Sequence, residues 1–131
     1  MKLNRYLSTV GTAAVLLTGM GSAPAQAQAQ DYGFGCINPG GAAIYTVCEM
    51  GIHLGGGESV EVDLHESGGY PVHVCVEPAG GGWDLGCAWM VPGSRAKVAT
   101  NTTGYTRSVQ LIVDTNALVD VRVAGVYRKV A

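Results

Sequence analysis

The residues of this chain whose types could do chemistry are four cysteines, three histidines and a few closely spaced carboxylates. Cys36 and Cys48 enclose eleven residues, and Cys75 and Cys87 enclose eleven more. At constant offset, Cys36-Ile37-Asn38-Pro39-Gly40-Gly41 aligns with Cys75-Val76-Glu77-Pro78-Ala79-Gly80, so one unit is used twice. Zinc sites usually set cysteines about two to four residues apart. These cysteines are spaced more widely, and the sulfurs read as disulfides. Four cysteines permit three pairings. The repeat favours Cys36 with Cys48 and Cys75 with Cys87, and bonds between the units are the alternative.

The histidines and carboxylates offer less. His65 and His73, with Asp63 nearby, fall on the polar faces of two strand-like runs joined by a short turn, where copper or zinc could bind. Ordinary cross-strand polar contacts account for the same placement, and no metal is expected. His65-Glu66 lacks the second histidine of a zinc-protease helix, and His53 stands apart. Glu61 and Asp63 project from one strand face and could pair as acid and base, yet alternation alone predicts such a solvated face. There is no Gly-x-Ser-x-Gly elbow. The Gly55-Gly56-Gly57 and Gly80-Gly81-Gly82 runs are not followed by Lys-Ser/Thr, so they read as turns rather than phosphate cradles. Asn101-Thr102-Thr103 is a formal glycosylation sequon. The expectation is a protein that is not an enzyme and carries no cofactor.

Lys2, Arg5, the apolar run Tyr6 to Met20 and small-x-small sites between Ala23 and Ala29 make residues 1–29 a signal peptide. Its apolar run is too short to span about 30 Å of hydrocarbon, so no membrane insertion is expected after its removal. The expected localisation is secreted and extracellular. Losing Lys2 and Arg5 leaves six basic residues against ten acidic ones, which disfavours nucleic acid and anionic membranes as partners. Residues 30–35 are expected to form a flexible N-terminal arm, and 36–131 a single small domain whose core the disulfides supplement.

The remaining apolar runs have period two. Val60, Val62 and Leu64 alternate with Glu61, Asp63 and His65; Val72, Val74 and Val76 with His73 and Cys75. Val109, Leu111 and Val113 repeat the pattern, as do Val119, Val121 and Val123. Less regular candidates are Ile44 to Met50, Gly86 to Val91 and Arg95 to Thr100. Turn signals separate these runs, among them Ser67-Gly68-Gly69, Pro92-Gly93 and Asp114-Thr115-Asn116. About seven short strands predict an all-β fold, a single antiparallel sandwich or barrel with Greek-key connections. The connections lack room for crossover helices. A change of phase from Val121 and Val123 to Val126 predicts a bulge at Gly125.

On this framework each disulfide would staple the base of a hairpin. The second hairpin would display Trp83, Asp84 and Leu85 on a glycine-rich tip, where a large amphipathic ring can dominate binding. The alternative is that Trp83 folds back over the core. Trp89, between Ala88 and Met90, is expected in the core. Tyr45 occupies the equivalent first loop, and Tyr32 and Phe34 lie on the arm, which could add to a partner's sheet.

The run Cys87-Ala88-Trp89-Met90-Val91-Pro92-Gly93-Ser94, followed by Val98, resembles the Cys-x-x-Val-x-Pro-Gly segment of tendamistat-type α-amylase inhibitors. The match covers about a fifth of residues 30–131, and a strand followed by a Pro-Gly turn has a general physical use. The resemblance implies a small exported two-disulfide sandwich with a non-catalytic binding role. That family presents a Trp-Arg-Tyr triplet, which this chain lacks, and its two disulfide loops are unequal where these are equal.

Two functions fit these observations. The first is a secreted, non-catalytic protein-binding module, either an adaptor or subunit of an extracellular assembly or an inhibitor of an extracellular enzyme. Pre-organised loops suit it because they lose less entropy on binding. The second is a carbohydrate-binding or cell-surface module in which Trp83, Tyr45, Tyr70 or Tyr105 stack on sugars. It requires exposed aromatics lying in one plane. A small secreted enzyme comes third, since no convergent nucleophile and base can be named.

Overall fold

Among the described residues the alternation is realised as eight antiparallel strands: β1 (Tyr32–Asn38), β2 (Thr46–Leu54), β3 (Ser59–Glu66), β4 (Val72–Pro78), β5 (Gly86–Met90), β6 (Arg95–Thr100), β7 (Arg107–Thr115) and β8 (Val121–Val130). The structure is a computed structural model that describes residues 30–41 and 44–131. The expected signal peptide, residues 1–29, lies outside the described residues.

One sheet has the order β1-β8-β3-β6 and the other β2-β7-β4-β5. Strands 1 and 8, 2 and 7, 3 and 6, and 4 and 5 are therefore neighbours, the connectivity of an eight-stranded jelly-roll sandwich. Only β4 and β5 are consecutive strands paired within one sheet; every other connection crosses between the layers. The β2–β3, β4–β5 and β6–β7 connections consequently share one end of the sandwich, and the remaining four share the other.

Val60, Val62 and Leu64 from β3 meet Val72, Val74 and Val76 from β4 and Val109, Leu111 and Val113 from β7 in a fully buried core. Each such side chain contributes about 1.5–3 kcal/mol relative to exposure. A buried asparagine closes each end. Asn38 Nδ2 donates to Ile44 O and Thr46 Oγ1, while its Oδ1 accepts from Thr115 N and Oγ1. At the opposite end Asn101 Nδ2 donates to Leu54 O, Gly55 O and Tyr105 O, and its Oδ1 accepts from Thr103 N and Oγ1. The sequon asparagine is thus a structural plug, with no exposed surface.

The disulfides join Cys36 to Cys48 and Cys75 to Cys87, closing each unit on itself. Their settings differ. Cys75 and Cys87 face each other across the β4–β5 hairpin, as expected. Cys36 lies on β1 and Cys48 on β2, which belong to different sheets. The first bond is therefore a tie between layers rather than a hairpin staple, because β1 pairs with β8 and leaves β2 to pair with β7.

Three further expectations are corrected. Residues 32–35, expected as an arm, begin β1: Phe34 is buried, and Tyr32 packs partly buried against the core. The predicted bulge does not lie on β8, whose pairing with β1 is unbroken from Val121 to Tyr127. Val121, Val123, Gly125 and Tyr127 keep one phase inward. The irregularity sits opposite, on β3, where Leu64 pairs with Gly125 and Glu66 with Ala124, leaving His65 as the extra residue. Gly125 serves close approach instead, since a Cβ there would collide with the Asp63 carbonyl oxygen. Lastly, Trp89 faces outward and is 55% exposed. Ala88 and Met90 take the inward positions because Trp89 shares the face of Cys87.

Candidate functional site

The outward faces of the two sheets are chemically unlike. On the β1-β8-β3-β6 sheet, Arg128 donates to Asp31 at 2.7 Å, Glu61 at 2.9 Å and Asp63 at 2.7 Å. Arg95 donates to Asp63 at 2.6 Å. The two guanidiniums, Arg95 first, hold the Asp63 carboxyl down at about 2, while the three carboxylates raise Arg128. Glu61 and Asp63, the one carboxylate pair that alternation placed together, are therefore committed to ion pairs. His65 lines a shallow groove of about 250 Å³ with Asp63, Ser94 and Arg95. It is not a neighbour of His73, because β3 and β4 lie in opposite sheets.

The other sheet presents aromatic and apolar groups. Val47, Ile112, Cys75 and Cys87 form one row across β2, β7, β4 and β5. In the next row Asp114 pairs with His73, and His73 with Trp89. Tyr45, just before β2, completes that row: its hydroxyl is 2.8 Å from His73 Nδ1. The His73 and Trp89 rings stack at 4.7 Å between centroids, and Tyr45 tilts against His73 at 5.9 Å. Desolvation raises the Tyr45 phenol, and the charges of Asp114 and Asp84 raise it further. Asp114 is buried, and its Oδ1 has no hydrogen-bond partner.

The β4–β5 tip rises from the edge of this face. Leu85 N donates to Val76 O, Gly81 N to Pro78 O, and Ala79 N to Ser108 O on β7. Gly82 turns the chain at φ +123°, a backbone that favours glycine. Leu85 is half-buried and packs against the core. These ties fix the tip from both sides, and Trp83 between them is 94% exposed. A groove of about 360 Å³ runs beside it, lined by Pro78, Trp83, Asp84, Leu85, Thr100, Thr102 and Arg107. Asp84 is an exposed residue, but its carboxylate is turned against Cys87 Sγ at 3.4 Å. Desolvation there, followed by repulsion from Glu77, raises its pKa.

Of the residues singled out in the sequence, Trp83, Asp84 and Leu85 share the tip, and Tyr45 lies on the same sheet's outward face. Tyr32 stacks on Tyr127 in the other sheet, at 5.2 Å between centroids, and Phe34 is buried in the core. His73, Trp89 and Asp114 were missed as a group. The signal was present: inward Val72, Val74 and Val76 place Cys75 outward, the disulfide places Cys87 with it, and Trp89 follows two residues later on the same face. Among the described residues, His73, Cys75 and Cys87 are a side-chain cluster with metal-ligand spacing. Both sulfurs are held in the disulfide. The sequence matches no protein-family model and no curated protein.

Proposed function

We propose that this protein is a secreted, non-catalytic protein-binding module, an adaptor or subunit of an extracellular assembly or an inhibitor of an extracellular enzyme. The observation that carries this reading is Trp83, 94% exposed on a tip whose base is closed by Cys75–Cys87. Leaving an indole in water is unfavourable by roughly the 1.5–3 kcal/mol that burying a large apolar side chain returns. Trp is also the residue type that dominates binding when it enters a partner's pocket. The tip loses little entropy on docking because its hydrogen bonds to Val76 and Ser108 already order it. Two intramolecular disulfides fit an oxidising extracellular setting.

Sugar stacking has less support. Trp83 and Tyr105 lie at one end of the sandwich, while Tyr45 and Tyr70 lie at the other. The Trp89 and His73 rings turn their faces to each other rather than forming a coplanar platform. The test is affinity capture from culture supernatant by residues 30–131 and by the Trp83→Ala variant. The proposal expects a protein recovered by the first and depleted with the second. Equal recovery removes Trp83 from the contact, and recovery of glycans alone would favour the carbohydrate reading.

A further inference from the structure

The cluster of Tyr45, His73, Trp89 and Asp114 on the outward face of the β2-β7-β4-β5 sheet combines three aromatic rings with a carboxylate that lacks a partner. We infer that this face receives a lysine or arginine side chain of the protein partner. The inference deepens the proposed function by assigning the partner's chemistry.

Charge complementarity identifies the occupant. Asp114 is 9% exposed, and its Oδ1 is buried without a hydrogen bond. Groups of this kind normally find partners within the fold. Strand phase turns it outward, directly paired with His73, and its charge reaches Tyr45. Asp84 adds a second carboxylate at the Cys87 end of the same face. Glu77, also outward on β4, is already engaged by Gln110 Nε2.

Among the described residues no lysine or arginine of this sheet's outward face balances these groups. Across β2, β4, β5 and β7, Arg107 is the sole lysine or arginine. It lies in phase with inward Val109 and lines the groove beside Trp83. The opposite sheet, by contrast, pairs Arg128, Arg95 and Arg122 with its own acids. Where the rings stand, the face thus carries carboxylates and no lysine or arginine. His73 covers one side of the Trp89 ring, and Trp89, on edge strand β5, is still more than half exposed. A cation over an indole is attracted by the negative face of the ring quadrupole. A carboxylate nearby adds Coulombic attraction that is larger at a partly desolvated surface than in bulk water. Exposed Val47 and Tyr45 extend the face with apolar surface suited to the aliphatic stem of such a side chain.

The test is NMR titration of the intact, disulfide-bonded protein with four probes: acetylated Gly-Lys-Gly, Gly-Arg-Gly and Gly-norleucine-Gly amides, and choline. The inference expects saturable shifts of the Trp89 indole and His73 ring signals with the lysine and arginine probes, at affinity about fivefold or more above the norleucine probe. Asp114→Asn and Trp89→Leu, each confirmed folded by its melting transition, should lose that preference. Asp84→Asn should reduce it. Norleucine binding as well as lysine overturns the inference, as does tighter binding of choline, or an unchanged preference in folded Asp114→Asn and Trp89→Leu. None of these results touches the Trp83 capture experiment. A partner held through Trp83 but indifferent to Asp114 and Trp89 would leave the proposed function standing and remove this site alone.

Discussion

The ion pairs on the outward face of the β1-β8-β3-β6 sheet predict how the protein responds to acid. Asp63 accepts from Arg95 Nε at 2.6 Å and from Arg128 Nη2 at 2.7 Å. Its side chain is only 18% exposed, so solvent screens these contacts incompletely. The guanidiniums hold its carboxyl at about 2, against an ordinary 3.8. That difference corresponds to about 2 kcal/mol of stability at neutral pH. Because the folded carboxyl is the stronger acid, the contribution is complete above about pH 4 and is lost as pH falls towards about 2. Urea unfolding of the wild type and Asp63→Asn should therefore differ by about 2 kcal/mol at pH 7. The gap should close progressively between about pH 4 and pH 2, because the unfolded carboxyl takes up its proton near 3.8 while the folded one does so only near 2. Arg128 keeps Asp31 and Glu61 in the variant, which limits repulsion. A gap of equal size at pH 7 and about pH 2 would refute the reasoning, because a lost charge interaction cannot persist after protonation.

Other outcomes follow from the same structure. Burial, then the charge of Glu49, pushes the Tyr127 phenol up to about 12; its ionisation, followed by ultraviolet absorbance, should trail that of exposed tyrosines, and folding stability should fall as pH rises above about 10. The two disulfides close loops of equal sequence separation, 12 residues. Replacing either pair by serine should cost about 3 kcal/mol in denaturant unfolding, but only Cys75→Ser with Cys87→Ser should also weaken partner capture, by freeing the Trp83 tip. Asn101 is buried and fully hydrogen-bonded, so intact mass of the folded protein from a glycosylating host should show it unmodified.

Legibility in the sequence followed how completely alternation was written. β3, β4 and β7 were readable because valine and leucine hold their central inward positions. In β1 the outward positions Gly33 and Gly35 conceal the alternation of Tyr32, Phe34, Cys36 and Asn38, so the strand passed for an arm. In β8 an inward glycine beside an outward Val126 imitated a phase change. Trp89 was misplaced by its apolar neighbours: Ala88 and Met90 beside it read as core, but the disulfide register turns those two inward and Trp89 outward with Cys87. The tip itself was legible, since its cysteines, glycines and tryptophan are local features. The charge character of the face beside it was not, because it depends on which strands become neighbours. His73 and Asp114 are far apart in sequence and meet only through the pairing of β4 with β7.

The central claim is that the stapled tip carries partner binding through Trp83. It is tested most directly by the dissociation constant of the captured partner for the wild type and for Trp83→Ala, measured at one salt concentration. A hot-spot tryptophan is worth about 2 kcal/mol or more, so the account predicts weakening of about 30-fold or greater. Equal dissociation constants, with the variant melting as the wild type does, would contradict it.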